Sequence, residues 1–238
     1  MNISLIIPAY NEKNKIREDI KAASDFMVIN NFRGEIIVVD DGSLDETSRF
    51  AREIPVDQTI DKRVIDYRTH TGKGFAVKKG ILEAVSEYIV FIDSGNCVPY
   101  SNILRGIKLI QDGICDISHG SRHLPDSLII RPKKWHRGLA SIIFRKFIKL
   151  FFKIPLNLTD TQCGLKIYRK EIAHELYHES ITKGFLFDIE IILRACKKGY
   201  RIKEFPIEWT SDPDSRLSLL KTLFSVFPEI RKINKLLG

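Results

Sequence analysis

The chain opens on a nearly unbroken apolar run, Ile3-Ser4-Leu5-Ile6-Ile7-Pro8, and a second run, Ile36-Ile37-Val38-Val39, ends in the paired acids Asp40-Asp41 before Gly42-Ser43. Continuous β-branched runs of this length mark strands buried on both faces, as in parallel sheets. Further runs predict strands at 56–60, 64–68, 88–92 and 115–119, with segments of helical period between them at 13–30, 44–53, 73–86 and 101–111. Alternation of this kind predicts a mostly parallel α/β sheet with right-handed crossovers. Ser43-Leu44-Asp45-Glu46 reads as a capping box with Ser43 as N-cap, which sets the acids on a strand-to-helix turn. After residue 120 the pattern changes to a loop with Pro125 and Pro132, then a basic apolar helix at about 133–153. A short strand at 164–168, helices at 170–177 and 188–198, a strand at 201–207 and an amphipathic helix from Leu217 complete the prediction.

Open α/β sheets bind ligands just beyond the carboxyl ends of their strands. Two acids there are costly to desolvate unless a sugar hydroxyl, a base edge or a metal uses them, so Asp40 and Asp41 mark a candidate site. Asp93, closing the run Tyr88-Ile89-Val90-Phe91-Ile92, is a third strand-end acid. Mg²⁺ and Mn²⁺ take hard oxygen ligands of this type together with substrate phosphates. Gly72-Lys73-Gly74 fails both nucleotide-loop patterns: Tyr67 stands where the first glycine of a P-loop belongs, and Val77 where the dinucleotide fingerprint needs its third. What remains is a glycine turn opening a helix, with Lys73 either meeting a diphosphate at the helix N-terminus or simply facing water.

Composition narrows the class. At 238 residues with 44% hydrophobic and 29% charged positions, the chain is an ordinary folded protein, neither disordered nor collagen-like. The four cysteines show no Cys-x-x-Cys spacing, which argues against zinc and disulfide frameworks and predicts reduced thiols in a cytosolic protein. A strand starting at Ile3 leaves no room for a signal peptide, and no stretch of 18 uncharged apolar residues predicts a membrane span. The net charge of +8 admits nucleic acid, anionic lipid or phosphorylated substrates. No nucleic-acid module is legible, and positive charge is densest from Arg131 to Lys153. In that helix Arg145, Lys146, Lys149 and Lys153 fall in an arc of roughly 100°, beside a wide face of Leu139, Ile143, Phe144, Phe147, Ile148, Leu150, Phe151 and Ile154. Such a helix suits a lipid interface, and equally suits packing on a sheet with its lysines in water. His174 and His178 share the i, i+4 spacing of a metal pair but lack a third ligand, so they read as surface.

The ordered motifs Ile7-Pro8-Ala9-Tyr10-Asn11-Glu12, Val39-Asp40-Asp41-Gly42-Ser43, Gly72-Lys73-Gly74 and Asp93 resemble those of the family 2 inverting glycosyltransferases. The resemblance implies a GT-A fold, a mostly parallel Rossmann-like sheet with flanking helices and C-terminal amphipathic helices, and a nucleotide-sugar donor. It places Pro8, Tyr10, Glu12, Asp40 and Asp41 around the nucleoside and Lys73 near the diphosphate. Asp93 becomes the first acid of a metal-binding Asp-x-Asp for Mg²⁺ or Mn²⁺, weakened because the second acid falls on Gly95. Gly120-Ser121-Arg122, Asp160-Thr161-Gln162-Cys163-Gly164-Leu165-Lys166, Phe187-Asp188-Ile189-Glu190 and Ile207-Glu208-Trp209 resemble the polyprenyl-phosphate sugar transferases, above all the dolichyl-phosphate glucosyltransferase group. Eukaryotic members of that group carry an N-terminal membrane anchor, which is not expected here.

The resemblance implies transfer of a hexose, expected to be glucose from UDP-glucose, to a polyprenyl or dolichyl phosphate with inversion. A phosphate acceptor, whose second ionisation lies near about pH 6, is already anionic at neutral pH and needs no general base. Arg122, Arg131 and Arg137 are then candidates for the acceptor phosphate, and Arg216 for a loop over the donor diphosphate. Asp93, Arg122, Asp188 and Arg216 form the expected catalytic set, with Asp188 orienting sugar hydroxyls or capping its helix. One alternative is a saccharide hydroxyl as acceptor with Asp188 as base; another is a nucleotide-sugar-binding protein impaired by Gly95. The expected organisation is one domain over 1–238, with a nucleotide-sugar part at 1–120 and an acceptor and membrane-facing part at 121–238. The expected location is cytoplasmic, peripheral on the inner face of an anionic membrane, with no nucleic-acid partner.

Overall fold

A computed structural model describes residues 1–132, 135–212 and 219–237. Strands β1 (Asn2–Ala9), β2 (Arg33–Asp40), β3 (Ile60–Asp66), β4 (Tyr88–Ile92) and β5 (Ile117–Ser121) come from the first half of the chain. With β7 (Leu165–Arg169) and β8 (Ile202–Pro206) they form one sheet of order β3-β2-β1-β4-β7-β5-β8. All run parallel except β7, which is inserted antiparallel between β4 and β5. A separate parallel pair joins β6 (Leu128–Arg131) to β9 (Glu208–Thr210).

The β-branched runs work because both faces of the sheet are covered. Ile3, Leu5 and Ile7 of β1 face α1 (Ile16–Ile29), α2 (Thr47–Glu53) and α4 (Asn102–Gln111). Ile6 faces the opposite layer of α3 (Lys73–Glu83), α6 (Lys170–Glu179) and α7 (Phe187–Lys197). Each such side chain contributes about 1.5–3 kcal/mol by leaving water. A third apolar cluster joins Ile148 and Phe152 of and after α5 (Trp135–Phe151) to Leu186 and Ile189 and to Val226, Ile230 and Ile233 of α8 (Leu219–Leu237). Among the described residues no helix is long and apolar enough to cross a membrane, and the four cysteines are free thiols.

Three sequence expectations need correction. The strands expected at 56–60 and 64–68 are one strand, β3, because Asp61-Lys62-Arg63 pair in register with Glu35-Ile36-Ile37 on a half-exposed edge, while Asp57 closes a turn on Thr59. The capping box does not form. Glu46 sits before α2 in the left-handed region, Ser43 turns back to Asp40 and to the Asn11 amide, and Asp45 accepts from Thr47. The loop expected around Pro125 and Pro132 contains β6, whose exposed apolar residues give no alternating signal.

Candidate active site

The topology sends the carboxyl ends of β1, β2, β4, β5 and β8 to one edge of the sheet, and antiparallel β7 starts there. At this edge Tyr10 follows β1 and stacks on His70, with centroids 3.9 Å apart and planes 24° from parallel. The His70 ring Nδ1 lies 2.9 Å from Asp41 Oδ2. Asp41 also accepts from the Tyr67 hydroxyl and from the Thr71 and Gly72 amides, each at 2.8 Å. Burial, and then Asp41 beside it, push the Tyr67 phenol well above its ordinary range, so it remains a donor. Both acids that opened the functional reading are thus desolvated and satisfied by the chain itself: Asp40 accepts the Ser43 amide at 3.1 Å and the Ser43 hydroxyl. Pro8 is buried inside β1 opposite Val39, and the Glu12 amide donates to the Thr47 hydroxyl at 2.9 Å.

Lys73, the first residue of α3, lies 2.7 Å from Asp93 Oδ1. Burial pulls the Lys73 pKa down, but Asp93 and Asp188 more than offset it and leave it raised. Asp188, in the first turn of α7, pairs at 2.6 Å with Lys166, which is fully buried and also donates to the Cys163 carbonyl at 2.7 Å. Burial raises the Asp188 pKa against the pull of Lys166 and Lys73. Asp93 is seated on Gly164: its amide donates to the Gly164 carbonyl at 2.8 Å, and a Cβ at 164 would run into its carboxylate. Gly72 and Gly74 are required by packing, because a Cβ at either would meet Lys183 O at 2.5 Å or Thr182 O at 2.7 Å. The glycine turn is therefore shaped by the 182–184 loop, which also takes the Phe75 amide at 3.1 Å on Lys183 O.

Arg122, just past β5, grips Asp160 through Nε and an Nη at 2.7 Å each, and its guanidinium lies 5.5 Å from the Trp209 ring centroid. Burial alone would raise the Asp160 carboxyl, yet the Arg122 guanidinium holds it well below the usual carboxylate range. Glu204 of β8 anchors this loop by accepting the Thr159 and Asp160 amides at 2.7–2.9 Å. Arg145 of α5 contacts His123 beside the same pair, so a residue read only as part of a basic stripe joins the Arg122 group. Arg131 is exposed at the end of β6, where it pairs in register with Thr210. Arg137 lies on α5, but its side chain falls outside the described residues, as does all of Arg216.

Residues 4–177 match the family described as Glycosyl transferase family 2. This chain is a family 2 glycosyltransferase. The glycosyltransferase is 27% identical over 236 residues to the glycosyltransferase AglD of Haloferax volcanii, covering 97% of this chain and 36% of that protein. It is 28% identical over 233 residues to the dolichyl-phosphate beta-glucosyltransferase of Saccharomyces cerevisiae, covering 91% of this chain and 69% of that one. In fold it resembles glucosyl-3-phosphoglycerate synthase from Mycobacterium tuberculosis, solved with Mn²⁺, UDP-glucose and glycerol 3-phosphate: TM-score 0.71, 17% identity, 98% of this chain and 78% of that one. The chain thus has the GT-A type of fold.

Asp93 at this edge has the oxygen chemistry that suits a divalent cation such as the Mn²⁺ held by that solved synthase. Asp93 offers hard oxygens next to the Gly95 turn. A Cβ on Gly95 would meet only ordinary contacts, Lys15 Cδ at 3.7 Å, Asp212 Oδ2 at 3.8 Å and Cys97 Sγ at 3.9 Å. Among the described residues no group of three or more His, Cys, Asp or Glu is placed to hold a metal. Sequence reasoning missed Asp19, which accepts the Gly95 amide on both oxygens at 3.0 and 2.9 Å and the Asn96 amide at 2.9 Å. Its signal was present: Asp19 lies on the buried face of α1 beside Ile16, Ile20 and Ala23, where an acid has to have a partner. His70 and Tyr67 were missed as well, since neither stands in a motif.

Proposed function

We propose that this glycosyltransferase moves a hexose, glucose in our reading, from a uridine diphosphate sugar to a polyprenyl phosphate with inversion, at a membrane surface. The observation that carries the reading is the seating of Asp93 on Gly164. It joins the donor-side acid to the Asp160–Gly164 segment that also holds Arg122, in a chain whose relatives are named for dolichyl phosphate. In this reading the Tyr10–His70 stack offers a platform for the base, and Lys73 turns from Asp93 to the diphosphate. An acceptor phosphate oxygen forms the new bond to the anomeric carbon as the bond to the nucleoside diphosphate breaks, which inverts that centre in a single displacement. The acceptor is already an anion, so no proton needs a base. Asp188, ion-paired with Lys166, is left to orient the sugar. Lys73 stabilises the departing diphosphate where its charge develops, and Arg122 with Arg145 draws the acceptor phosphate in. A divalent cation bound at Asp93 would neutralise further diphosphate charge.

The lipid side is supported by what α5 leaves outside its core. Ile148 and Phe152 are buried against α7 and α8, but Ile142, Ile143 and Phe151 are exposed, Leu150 is 80% exposed and Leu156 is 93% exposed. Exposed Lys146 and Lys153 flank them, the pairing of apolar and basic groups that favours an anionic leaflet by about 1 kcal/mol per charge. The core-packing and lipid-interface readings of the helix are thus compatible, each on its own face.

The test supplies purified protein with radiolabelled UDP-glucose, Mg²⁺ or Mn²⁺, and polyprenyl phosphate in anionic or neutral vesicles. Label is expected in the chloroform phase, faster on anionic vesicles, with a β-linked product by NMR. Label appearing only on saccharide acceptors would overturn the acceptor reading, and preference for another sugar in a donor panel would overturn glucose.

A further inference from the structure

We propose that Asp212 supplies the second carboxylate that the Asp93-Ser94-Gly95 turn lacks, so that Asp93 and Asp212 together hold the divalent cation that arrives with the donor diphosphate. The proposal rests on the donor reading above and adds a ligand from a distant part of the chain.

Position 95 is closed to an acid for a backbone reason. Gly95 has φ of +93°, a region that side chains rarely adopt, and its amide is committed to Asp19. A Cβ there would nevertheless meet only ordinary van der Waals contacts, and one of them is the Asp212 carboxylate, Oδ2 lying 3.8 Å from the ideal Cβ position. The segment that delivers Asp212 is stitched down on both sides. The Thr210 amide donates to the Cys97 carbonyl at 2.8 Å, and the Ser211 amide donates to the Arg131 carbonyl at 3.0 Å.

A cation already sits at each carboxylate. Lys15 Nζ lies 2.8 and 3.0 Å from the two oxygens of Asp212 and 3.5 Å from Glu12, as Lys73 lies 2.7 Å from Asp93. When one divalent ion takes over two carboxylates their charges cancel. The two lysines are then released as two positive charges for the diphosphate. The site never holds an uncompensated acid, which a partly buried pair would tolerate poorly.

The test measures Mn²⁺ binding by electron paramagnetic resonance in the presence of UDP, and UDP binding by calorimetry in EDTA. Asp212→Asn is expected to weaken Mn²⁺ at least tenfold, like Asp93→Asn, while UDP affinity in EDTA does not fall. Asp212→Glu, which keeps a carboxylate, should hold Mn²⁺ within about threefold of the native protein, and Lys15→Met should tighten it. Native-like Mn²⁺ binding by Asp212→Asn, or equal losses in Asp212→Asn and Asp212→Glu, overturns the proposal. A native protein that binds UDP but no Mn²⁺ also overturns it alone, whereas one that binds no UDP overturns the donor reading beneath it.

Discussion

Gly164 is the position where one methyl group reaches furthest. An alanine there would put its Cβ 2.7 Å from Asp93 Oδ1 and closer still to Cγ and Oδ2. Unstrained non-bonded contacts need about 3.5 Å, so the carboxylate has to move by roughly 1.5 Å. The move stretches the 2.7 Å pair with Lys73. At an effective dielectric of about 20, lengthening such a pair by about 1.5 Å removes ~2 kcal/mol of attraction. Overpacking adds about 1–3 kcal/mol of strain. In a chain of 238 residues, each kcal/mol lowers the melting temperature by about 2–4 °C, so Gly164→Ala is expected to melt several degrees lower. Catalysis should suffer more, because a 1 Å misplacement at a reacting centre costs on the order of 10²-fold. The assays are thermal unfolding and transfer to polyprenyl phosphate, with Gly138→Ala as control because a Cβ there meets nothing within 4 Å. If Gly164→Ala keeps both its melting temperature and its turnover while Gly138→Ala behaves normally, Asp93 is not seated as described and the reasoning fails.

Two further perturbations test the buried charges. Arg122→Lys keeps the charge but loses the two-pronged grip on Asp160. It should cost about 1–3 kcal/mol in urea unfolding, and Arg122→Ala about 3–5, because Asp160 is then left buried and unpaired; losses under 0.5 kcal/mol for both, roughly the scale of an ordinary surface change, would show that the pair carries nothing. Asp19 is raised by burial from its ordinary 3.8 to about 6, so the folded chain binds more protons than the unfolded one between those values, and this group's contribution to stability falls as pH rises through that window. Relative to the native protein, Asp19→Asn should therefore gain roughly 2.5 kcal/mol between pH 4 and pH 7 in denaturant titrations, and a difference that does not change with pH would refute the assignment.

The layered sheet was legible because its strands are apolar runs that both faces need, and periodicity reports that directly. What periodicity could not report was the path of β7. Leu165-Lys166-Ile167-Tyr168 reads as one more short strand, but its antiparallel insertion between β4 and β5 is fixed by tertiary pairing, Phe91 against Lys166 and Ser118 against Ile167. That insertion brings Gly164 under Asp93 and Lys166 against Asp188, so half of the site depends on a connection that no local signal encodes. The paired acids show the opposite error. Their position at a strand end was read correctly, but the argument that a ligand must satisfy them overlooked donors close by, Ser43 for Asp40 and Tyr67, Thr71 and Gly72 for Asp41. Desolvation cost says that a buried acid has a partner and leaves open which one.

The loop from 180 to 186 ties the start of α3 to α7 and α8. Glu190, fully buried on α7, accepts the Ile181 and Thr182 amides at 2.9 and 2.7 Å, and Glu229 of α8 accepts the Gly184 amide at 2.7 Å. Between those anchors the Lys183 carbonyl receives the Phe75 amide from the first turn of α3, at the N-terminus that carries Lys73. Gly72 and Gly74 have no Cβ because the loop lies directly on them. The helix α8 that packs the outward-facing α5 therefore also fixes, through one loop, the backbone that aims Lys73. A Gly-Lys-Gly run at a helix start is commonly explained by what it binds. Here the glycines are first explained by what they pack against, and the lysine is the one member of the run left to meet a charge.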